Sequence, residues 1–289
     1  MVTCRKVRVV GPDDVEAVLD FLARHAASTM FLRGNLLRAG AVDRGARLEG
    51  TYAAAFEGGT VTAVAAHYWN DNLILEAPDH LDEVVAVATA ASGRPVRGIL
   101  GRSSQVRAAR EALGMTDLET TLESSEGLFF LRLATLRVPG LLTDGSALCR
   151  VPRERELPLL VAWRAAYRVE ALGATDADAV HAQAKDEIHA IHEDGLHWVL
   201  EVGGELVAYS AFNATVPDCV QIGGVWTPPA LRGRGYGRSV VAGTLLLAHK
   251  GGVSTSVLFT ENPAAERAYR SLGFERTGDY AIVFFAEPA

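Results

Sequence analysis

The chain has 289 residues, 49% of them hydrophobic, which favours two buried cores over one compact domain of average size. Its formal net charge of −7, from 28 Lys and Arg against 35 Asp and Glu, argues against a nucleic-acid partner held by bulk electrostatics. The three cysteines (Cys4, Cys149 and Cys219) are scattered, which predicts a reducing cytoplasm. No apolar run reaches about 18 residues, so we predict no membrane span. No apolar core follows the N-terminal residues, so we predict no signal peptide.

The first half alternates short apolar runs with amphipathic segments. Two of the runs flank Gly58-Gly59, a pair that favours a tight hairpin turn. Apolar residues that recur every three or four positions predict helices between the strands. We predict strands at 8–10, 51–56, 60–69, 73–75, 96–100 and 127–136, and helices at 12–22, 31–37, 81–91 and 103–113.

The second half has the same organisation, with its own hairpin at Gly203-Gly204. Its second helix is polar and carries His181, His189 and His192, whose spacing completes no set of metal ligands, so we interpret them as a solvated face and predict no metal. We predict strands at 147–151, 196–202, 205–212, 220–227, 254–259, 274–277 and 281–285, and helices at 156–167, 176–192, 240–250 and 262–272.

A loop rich in glycine and arginine follows the strand at 220–227. Pro228-Pro229 cannot donate to a sheet ladder, so strand pairing should stop there. Gly233, Gly235 and Gly237 let successive N–H groups point at one spot before a helix N-terminus, where an anion is favoured. The sequence therefore predicts a pyrophosphate site; its candidate residues are Arg232, Gly233, Arg234, Gly235, Tyr236, Gly237, Arg238 and Ser239.

A second informative stretch begins at Asn262. Asn262 is a good helix N-cap, Pro263 suits the first helical position and Gly273 is a natural terminator. Between them, small and apolar residues recur on one face of the predicted helix and include Tyr269.

The two stretches together resemble the signatures of the GNAT acetyltransferases. The Gly-Arg loop (residues 232–238) is similar to the family's Gln/Arg-x-x-Gly-x-Gly/Ala, and residues 262–274 are similar to Asn-x-x-Ala-x-x-x-Tyr-x-x-Leu-Gly-Phe. The resemblance covers about residues 147–287 and implies an α/β fold with a mixed sheet and acetyl-CoA as co-substrate. It also implies further donor-binding positions at Val225, Trp226, Thr227, Asn262, Ala265 and Tyr269.

The two halves also show a weak repeat. Leu113-Gly114-Met115 lies 159 positions before Leu272-Gly273-Phe274. Residues 73–76 lie only about 150 positions before residues 223–226, so the first half lacks about nine residues, which correspond to the Gly-Arg loop. This pattern predicts two tandem acyl-CoA N-acyltransferase folds.

We therefore predict a degenerate GNAT-like domain at 1–138 and a catalytic GNAT domain at 146–289. Arg110 stands in the first half where the second has Tyr269, consistent with a first copy that binds no donor. An unrelated α/β domain in the first half is the alternative, since element order alone is a loose match.

Acetyl transfer to an amine needs a stabilised oxyanion and a protonated leaving thiolate. Gly223-Gly224 suits a β-bulge; the resemblance implies that this bulge opens a gap for the thioester and makes the Val225 N–H the oxyanion donor. The alternative is that the glycines only admit a neighbouring side chain. Tyr269 is the candidate general acid, since a phenol with a pKa of ~10 is protonated at neutral pH; alternatively it is a core residue.

The general base is less well defined. Some family members carry a Glu on the strand before the loop, but this strand offers Gln221. Glu170, predicted in the turn between the first two helices of the second half, is the better candidate to bind the acceptor ammonium or relay its proton, and a solvated Glu is the alternative. Tyr209 and Asn213 are weaker acceptor-site candidates.

The predicted function is transfer of acetyl from acetyl-CoA to a primary amine of a small acceptor, by direct attack in a ternary complex. The expected partners are small molecules, without nucleic acid or membrane, and the chain is expected to be a monomer or homodimer. Two alternatives remain: a non-catalytic acyl-CoA sensor or scaffold, and an aminoacyl-tRNA-dependent transferase. The acidic charge and intact loop argue against the latter. The sequence does not identify the acceptor.

Overall fold

The structure is a computed structural model that describes residues 5–172 and 177–288. Cys4, one of the three cysteines, lies outside the described residues. The contacts between Cα atoms divide the chain into two units. Unit 1 extends to Phe129 and includes Phe259–Glu261 and the segment from Arg276 onwards, and unit 2 consists of Phe130–Leu258 and Asn262–Glu275.

Twelve strands and nine helices form the part of the chain that the structure describes. The strands are β1 Arg5–Val9, β2 Gly50–Glu57, β3 Thr60–Tyr68, β4 Asn72–Glu76, β5 Gly98–Arg102, β6 Thr120–Arg132, β7 Ala147–Arg150, β8 His197–Val202, β9 Glu205–Val216, β10 Cys219–Trp226, β11 Thr255–Thr260 and β12 Glu275–Phe285. The helices are α1 Val15–Arg24, α2 Met30–Ala39, α3 Leu81–Ser92, α4 Ser103–Ala112, α5 Gly140–Thr143, α6 Leu157–Leu172, α7 Ala177–Glu193, α8 Tyr236–Lys250 and α9 Pro263–Leu272.

Unit 1 is a mixed sheet with helices on both faces. Its strand order is β1-β2-β3-β4-β5-β12-β6. Strands β4 and β5 pair in parallel, whereas the pairs β1–β2, β2–β3, β3–β4 and β5–β12 are antiparallel. One core packs the sheet against α3 and α4 through residues such as Val85 and Ala109. A second core packs α1 and α2 on the sheet through Phe21 and Leu32. Consecutive residues of β2, β3 and β4 are buried and project to opposite faces of the sheet, so each face needs a covering layer.

Unit 2 has the strand order β11-β10-β9-β8-β7. Strands β10 and β11 pair in parallel, whereas the pairs β10–β9, β9–β8 and β8–β7 are antiparallel. Leu160 of α6 and Ile188 of α7 pack on Val199 and Tyr209 of the sheet. Helix α8 packs closely on β7, since a Cβ added at Gly243 would lie 2.3 Å from the Cβ of Cys149.

The predicted fold class is confirmed: both units have a mixed α/β organisation. Several predicted elements need correction. Helix α6 runs to Leu172 rather than 167, β6 begins at Thr120 rather than 127, and the two short strands predicted at 274–277 and 281–285 form one strand, β12. Gly278, at φ 143°, lies within that strand, and a glycine there interrupts the sequence pattern without ending the strand.

Candidate functional site

A cleft of about 800 Å³ lies in unit 2, where the end of α6, the end of β10, the start of α8 and one face of α9 meet. Most of the residues singled out from the sequence line it, although they come from four separate elements. They are Glu170, Val225, Trp226, Thr227, Arg232, Gly233, Arg234, Gly235, Tyr236, Gly237, Arg238, Asn262, Ala265 and Tyr269.

One end of the cleft is built to receive an anion. Gly233 and Gly235 have φ angles of 78° and 81°, a region that glycine adopts without strain, and Gly235 is the N-cap of α8. The first N–H groups of α8 have no acceptor within the helix, and the helix dipole adds positive potential there. Because Arg234 and Arg238 also line this end, the residues present fit a pyrophosphate.

Strand β10 separates from β11 and bulges away from β9 before it reaches this loop. It pairs with β11 only from Cys219 to Gln221 among the described residues. Its register with β9 shifts between Gly223 and Trp226, and Gly224 has a φ of 59°. The predicted bulge is therefore confirmed, and it leaves Val225 without a registered partner on either side.

Both glycines of the bulge also make room for side chains of unit 2. A Cβ at Gly223 would lie 2.0 Å from the Asn213 Oδ1 atom, and one at Gly224 would lie 2.8 Å from the Arg164 Nη1 atom. Both interpretations of Gly223-Gly224 therefore apply: the pair forms the bulge, and it also leaves room for neighbouring side chains.

Tyr269 lies on α9, with its ring in edge contact with Phe274 at 5.9 Å between centroids. The helix is positioned by Asn262, whose side chain accepts a hydrogen bond from the Ala264 N–H at 2.9 Å. Tyr269 lines the cleft although its residue is only 8% exposed. Burial, reinforced by Tyr167, raises the pKa of its phenol above 10, so the Oη atom stays protonated at neutral pH.

Glu170 lies in the last turn of α6, not in an interhelical turn as predicted. Gly173, the end of the predicted turn, lies outside the described residues. The Arg232 guanidinium donates to both carboxylate oxygens of Glu170, at 2.8 and 3.0 Å. This hydrogen bonding lowers the pKa of Glu170, which makes it a weaker proton acceptor.

Arg232 is held by its own neighbours as well. Its Nε donates to the Thr227 carbonyl at 2.9 Å, and its guanidinium lies 4.9 Å from the centre of the Trp226 ring. Glu170 and Arg232 are 62 positions apart in the chain, and no local pattern signals their pairing.

Two sequence interpretations differ from the structure. Ser239 does not line the cleft: it is fully buried in α8, and its hydroxyl donates to the Gly235 carbonyl at 2.9 Å. His181 and His189 are exposed, as expected of a solvated face, but His192 is half-buried and contacts His197. His197 is not among the residues predicted from the sequence, because its only signal is a polar residue at the start of an apolar strand.

Within residues 5–172 and 177–288, no three His, Cys, Asp or Glu side chains are grouped so that they could hold a metal ion. None of the helices in those ranges combines the length and the apolar character needed to cross a membrane.

Comparison with known proteins is consistent with this geometry. Residues 160–274 match the model of the acetyltransferase (GNAT) family. A segment of 79 residues is 39% identical to the N-alpha-acetyltransferase RimI of Mycobacterium tuberculosis. That segment is 26% of this chain and 49% of the relative, so the chain spans about half the length of the curated protein it matches.

Solved structures match over nearly the whole chain. A Drosophila protein is similar with a TM-score of 0.64 and 14% identity, over 96% of this chain and 98% of that one. A tandem GNAT protein from the clavulanic acid biosynthesis pathway has a TM-score of 0.50 and 13% identity, over 99% of this chain and 100% of that one. At these identities the matches establish the fold, which is the tandem GNAT fold.

Proposed function

Because residues 160–274 of this chain belong to the GNAT acetyltransferase family, we propose that it is an acetyl-CoA-dependent N-acetyltransferase whose active site is the cleft of unit 2. The acceptor is a primary amine on a small molecule, which attacks the bound donor directly in a ternary complex. The main support for this proposal is that, among the described residues, β10 is no longer paired with β11 at Gly224. This gap lies between the N-terminus of α8, which favours an anion, and the protonated Tyr269.

Each part of the cleft has a distinct task in this proposal. The α8 N-terminus and the arginines of the Gly-Arg loop bind phosphate groups. Acetyl-CoA supplies an acetyl group activated as a thioester. The Val225 N–H, which has no registered strand partner, donates to the carbonyl oxygen as it gains charge. Tyr269 holds the proton that the departing sulfur needs.

The test is a thiol-release assay with acetyl-CoA and a panel of amines. The panel includes a peptide with a free α-amine, because the RimI relative is named an N-alpha-acetyltransferase. Acceptor-dependent release supports the proposal. Tight acetyl-CoA binding without transfer to any amine would indicate an acyl-CoA sensor instead, and transfer from a charged tRNA would indicate an aminoacyl-tRNA-dependent enzyme.

Unit 1 differs from unit 2 at each donor-binding feature. Strand β4 pairs in parallel with β5 from Asn72 to Leu75, which is most of its length, so no gap opens. The first turn of α3, the helix after β4, carries Asp82 and Glu83, and these carboxylates repel phosphate. We propose that residues 1–138 are a degenerate copy and that residues 146–289 carry the activity.

One acetyl-CoA per chain is therefore the expected stoichiometry. Calorimetric titration with CoA should give a single class of sites with one ligand bound per polypeptide. Two equivalent sites would refute the degenerate-copy assignment, since unit 1 has no counterpart of the Gly-Arg loop to hold the phosphates.

Glu170→Gln should strengthen CoA binding about two- to five-fold and leave kcat unchanged. In the free protein the guanidinium of Arg232 donates both of these hydrogen bonds to Glu170, so a phosphate must compete with this carboxylate for the guanidinium. Calorimetry at low and high salt measures the gain, which salt should diminish.

Glu266→Gln is the matched control for that variant. It removes the same charge from unit 2, but Glu266 pairs with Arg270 and does not line the cleft. A kcat loss on the order of 10²-fold for Glu170→Gln with unchanged CoA affinity would instead assign Glu170 as the base.

A further inference from the structure

A row of polar side chains crosses the interior of unit 2 beside the cleft. The Tyr209 hydroxyl lies 3.3 Å from the Nδ1 atom of His197, and the Nε2 atom of His197 lies 2.9 Å from the Nδ1 atom of His192. These three residues, the relay, come from β9, β8 and α7. None of them has a task in the mechanism above.

The relay connects the buried interior of unit 2 with solvent. His197 is fully buried and Tyr209 is 3% exposed, although both carry polar atoms. At the outer end the His192 Nε2 atom lies 3.9 Å from a Glu154 carboxylate oxygen, and the Glu154 side chain is 91% exposed. A buried polar chain that ends at the surface is an unusual feature for a core held otherwise by apolar side chains.

The inner end of the relay lies at the bulge. Tyr209 is the register partner of Trp226, and a Cβ at Gly224 would lie 3.9 Å from the Tyr209 ring. Tyr209 packs in the core that α6 and α7 build on this face of the sheet. The ring therefore lies on the helix-covered side of the bulge, beside Gly224, and the next residue in the chain, Val225, lines the cleft.

Burial favours the neutral forms of His197 and Tyr209. Burial, and secondarily His192, lowers the pKa of His197 to about 4, so this ring is neutral at physiological pH. Burial raises the pKa of Tyr209, an effect that Arg164 on α6 opposes and Glu187 on α7 reinforces. A neutral imidazole has one donor and one acceptor nitrogen and can accept from Tyr209 while donating to His192.

We propose that the relay removes the proton that the acceptor amine releases, an inference that rests on the proposed acetyltransferase function. The acceptor, bound as its ammonium form, transfers one proton to the Tyr209 oxygen as the Tyr209 proton moves to His197 Nδ1. The acceptor thereby becomes the neutral amine that attacks the thioester. The His197 Nε2 proton moves to His192 Nδ1, and the His192 Nε2 proton leaves to solvent beside Glu154. One proton enters and one leaves, and each carrier ends neutral with the histidine tautomers exchanged.

This assignment supplies a base that the described residues lining the cleft otherwise lack. Glu170 is held by Arg232, and Gln221 stands where a strand carboxylate would serve. Tyr209 is the only relay member that would touch the acceptor, so His197 and His192 are positioning residues that act through it.

The test compares Tyr209→Phe with the wild type across pH, using an acceptor from the amine panel. At pH 7 the variant should lose on the order of 10²-fold in kcat/KM, the low end for a lost general base. The loss should disappear above the pKa of the acceptor amine, because the amine then enters already neutral. CoA affinity by calorimetry should be unchanged.

Two control variants separate a relay from a structural cluster. Tyr280→Phe removes a buried hydroxyl of unit 1 that has no hydrogen-bond partner among the described residues, and it should not change the rate. His192→Gln should slow transfer in the same pH-dependent way as Tyr209→Phe, whereas His189→Gln, at an exposed position of the same helix, should not.

The outcomes distinguish this proposal from the one on which it rests. An unchanged rate for Tyr209→Phe, or a loss that persists equally at high pH, overturns the relay while the acetyltransferase function stands. Wild-type protein that binds acetyl-CoA but acetylates no amine overturns the proposed function and the relay with it.

Discussion

Gly235→Val should abolish measurable acetyl-CoA binding while the protein stays folded. Gly235 has a φ of 81° at the N-cap of α8, and a β-branched residue is strongly disfavoured in that conformation. A Cβ there would also lie 3.2 Å from the Arg238 Nε atom. The loop must therefore rearrange, and its N–H groups no longer converge on one anion.

The size of this effect follows from the bonds lost. Hydrogen bonds to a charged group contribute about 1.5–3 kcal/mol each, so losing two weakens binding by about 10²- to 10⁴-fold. The local strain of about 1–3 kcal/mol lowers the melting temperature without unfolding the domain. Calorimetry with CoA and a circular dichroism melting curve measure the two quantities.

Gly140→Val is the matched control for this variant. Gly140 opens α5 in unit 2, and a Cβ there meets nothing within 4 Å. It should bind CoA like the wild type. Normal CoA affinity in Gly235→Val as well would rule out the Gly-Arg loop as the phosphate site.

Tyr269→Phe should reduce kcat by on the order of 10²-fold with little change in acetyl-CoA affinity. The substitution keeps the ring and its contact with Phe274 and removes only the hydroxyl. Because burial raises the pKa of Tyr269, the hydroxyl carries its proton at every pH of an ordinary assay, and the kcat loss should not depend on pH. Stability should change by no more than about 1 kcal/mol, the contribution of a single hydrogen bond.

Rate measurements and melting curves on this variant separate catalysis from packing. If Tyr269 is only a core residue, stability falls and the rate with a working acceptor is unchanged. The contrast with Tyr209→Phe is informative, since that loss should vanish at high pH whereas the loss in Tyr269→Phe should persist.

The sequence by itself determined the elements whose signals are local. Asn262 caps α9 as predicted and Gly273, at φ 104°, ends it, because caps act on N–H and C=O groups within one helical turn. The glycines at 224, 233 and 235 marked the bulge and the loop for the same reason: a special backbone conformation restricts the residue type at one position.

Tertiary structure alone decided which distant residues meet. Glu170 was expected to face the acceptor but pairs with Arg232, and His192 was expected to face solvent but contacts His197. The segment from Arg276 onwards belongs by its contacts to unit 1, although it follows the Gly-Arg loop and α9 in the chain. Strand pairing and side-chain contacts of this kind depend on register and helix packing between remote segments, and no local pattern in the sequence encodes them.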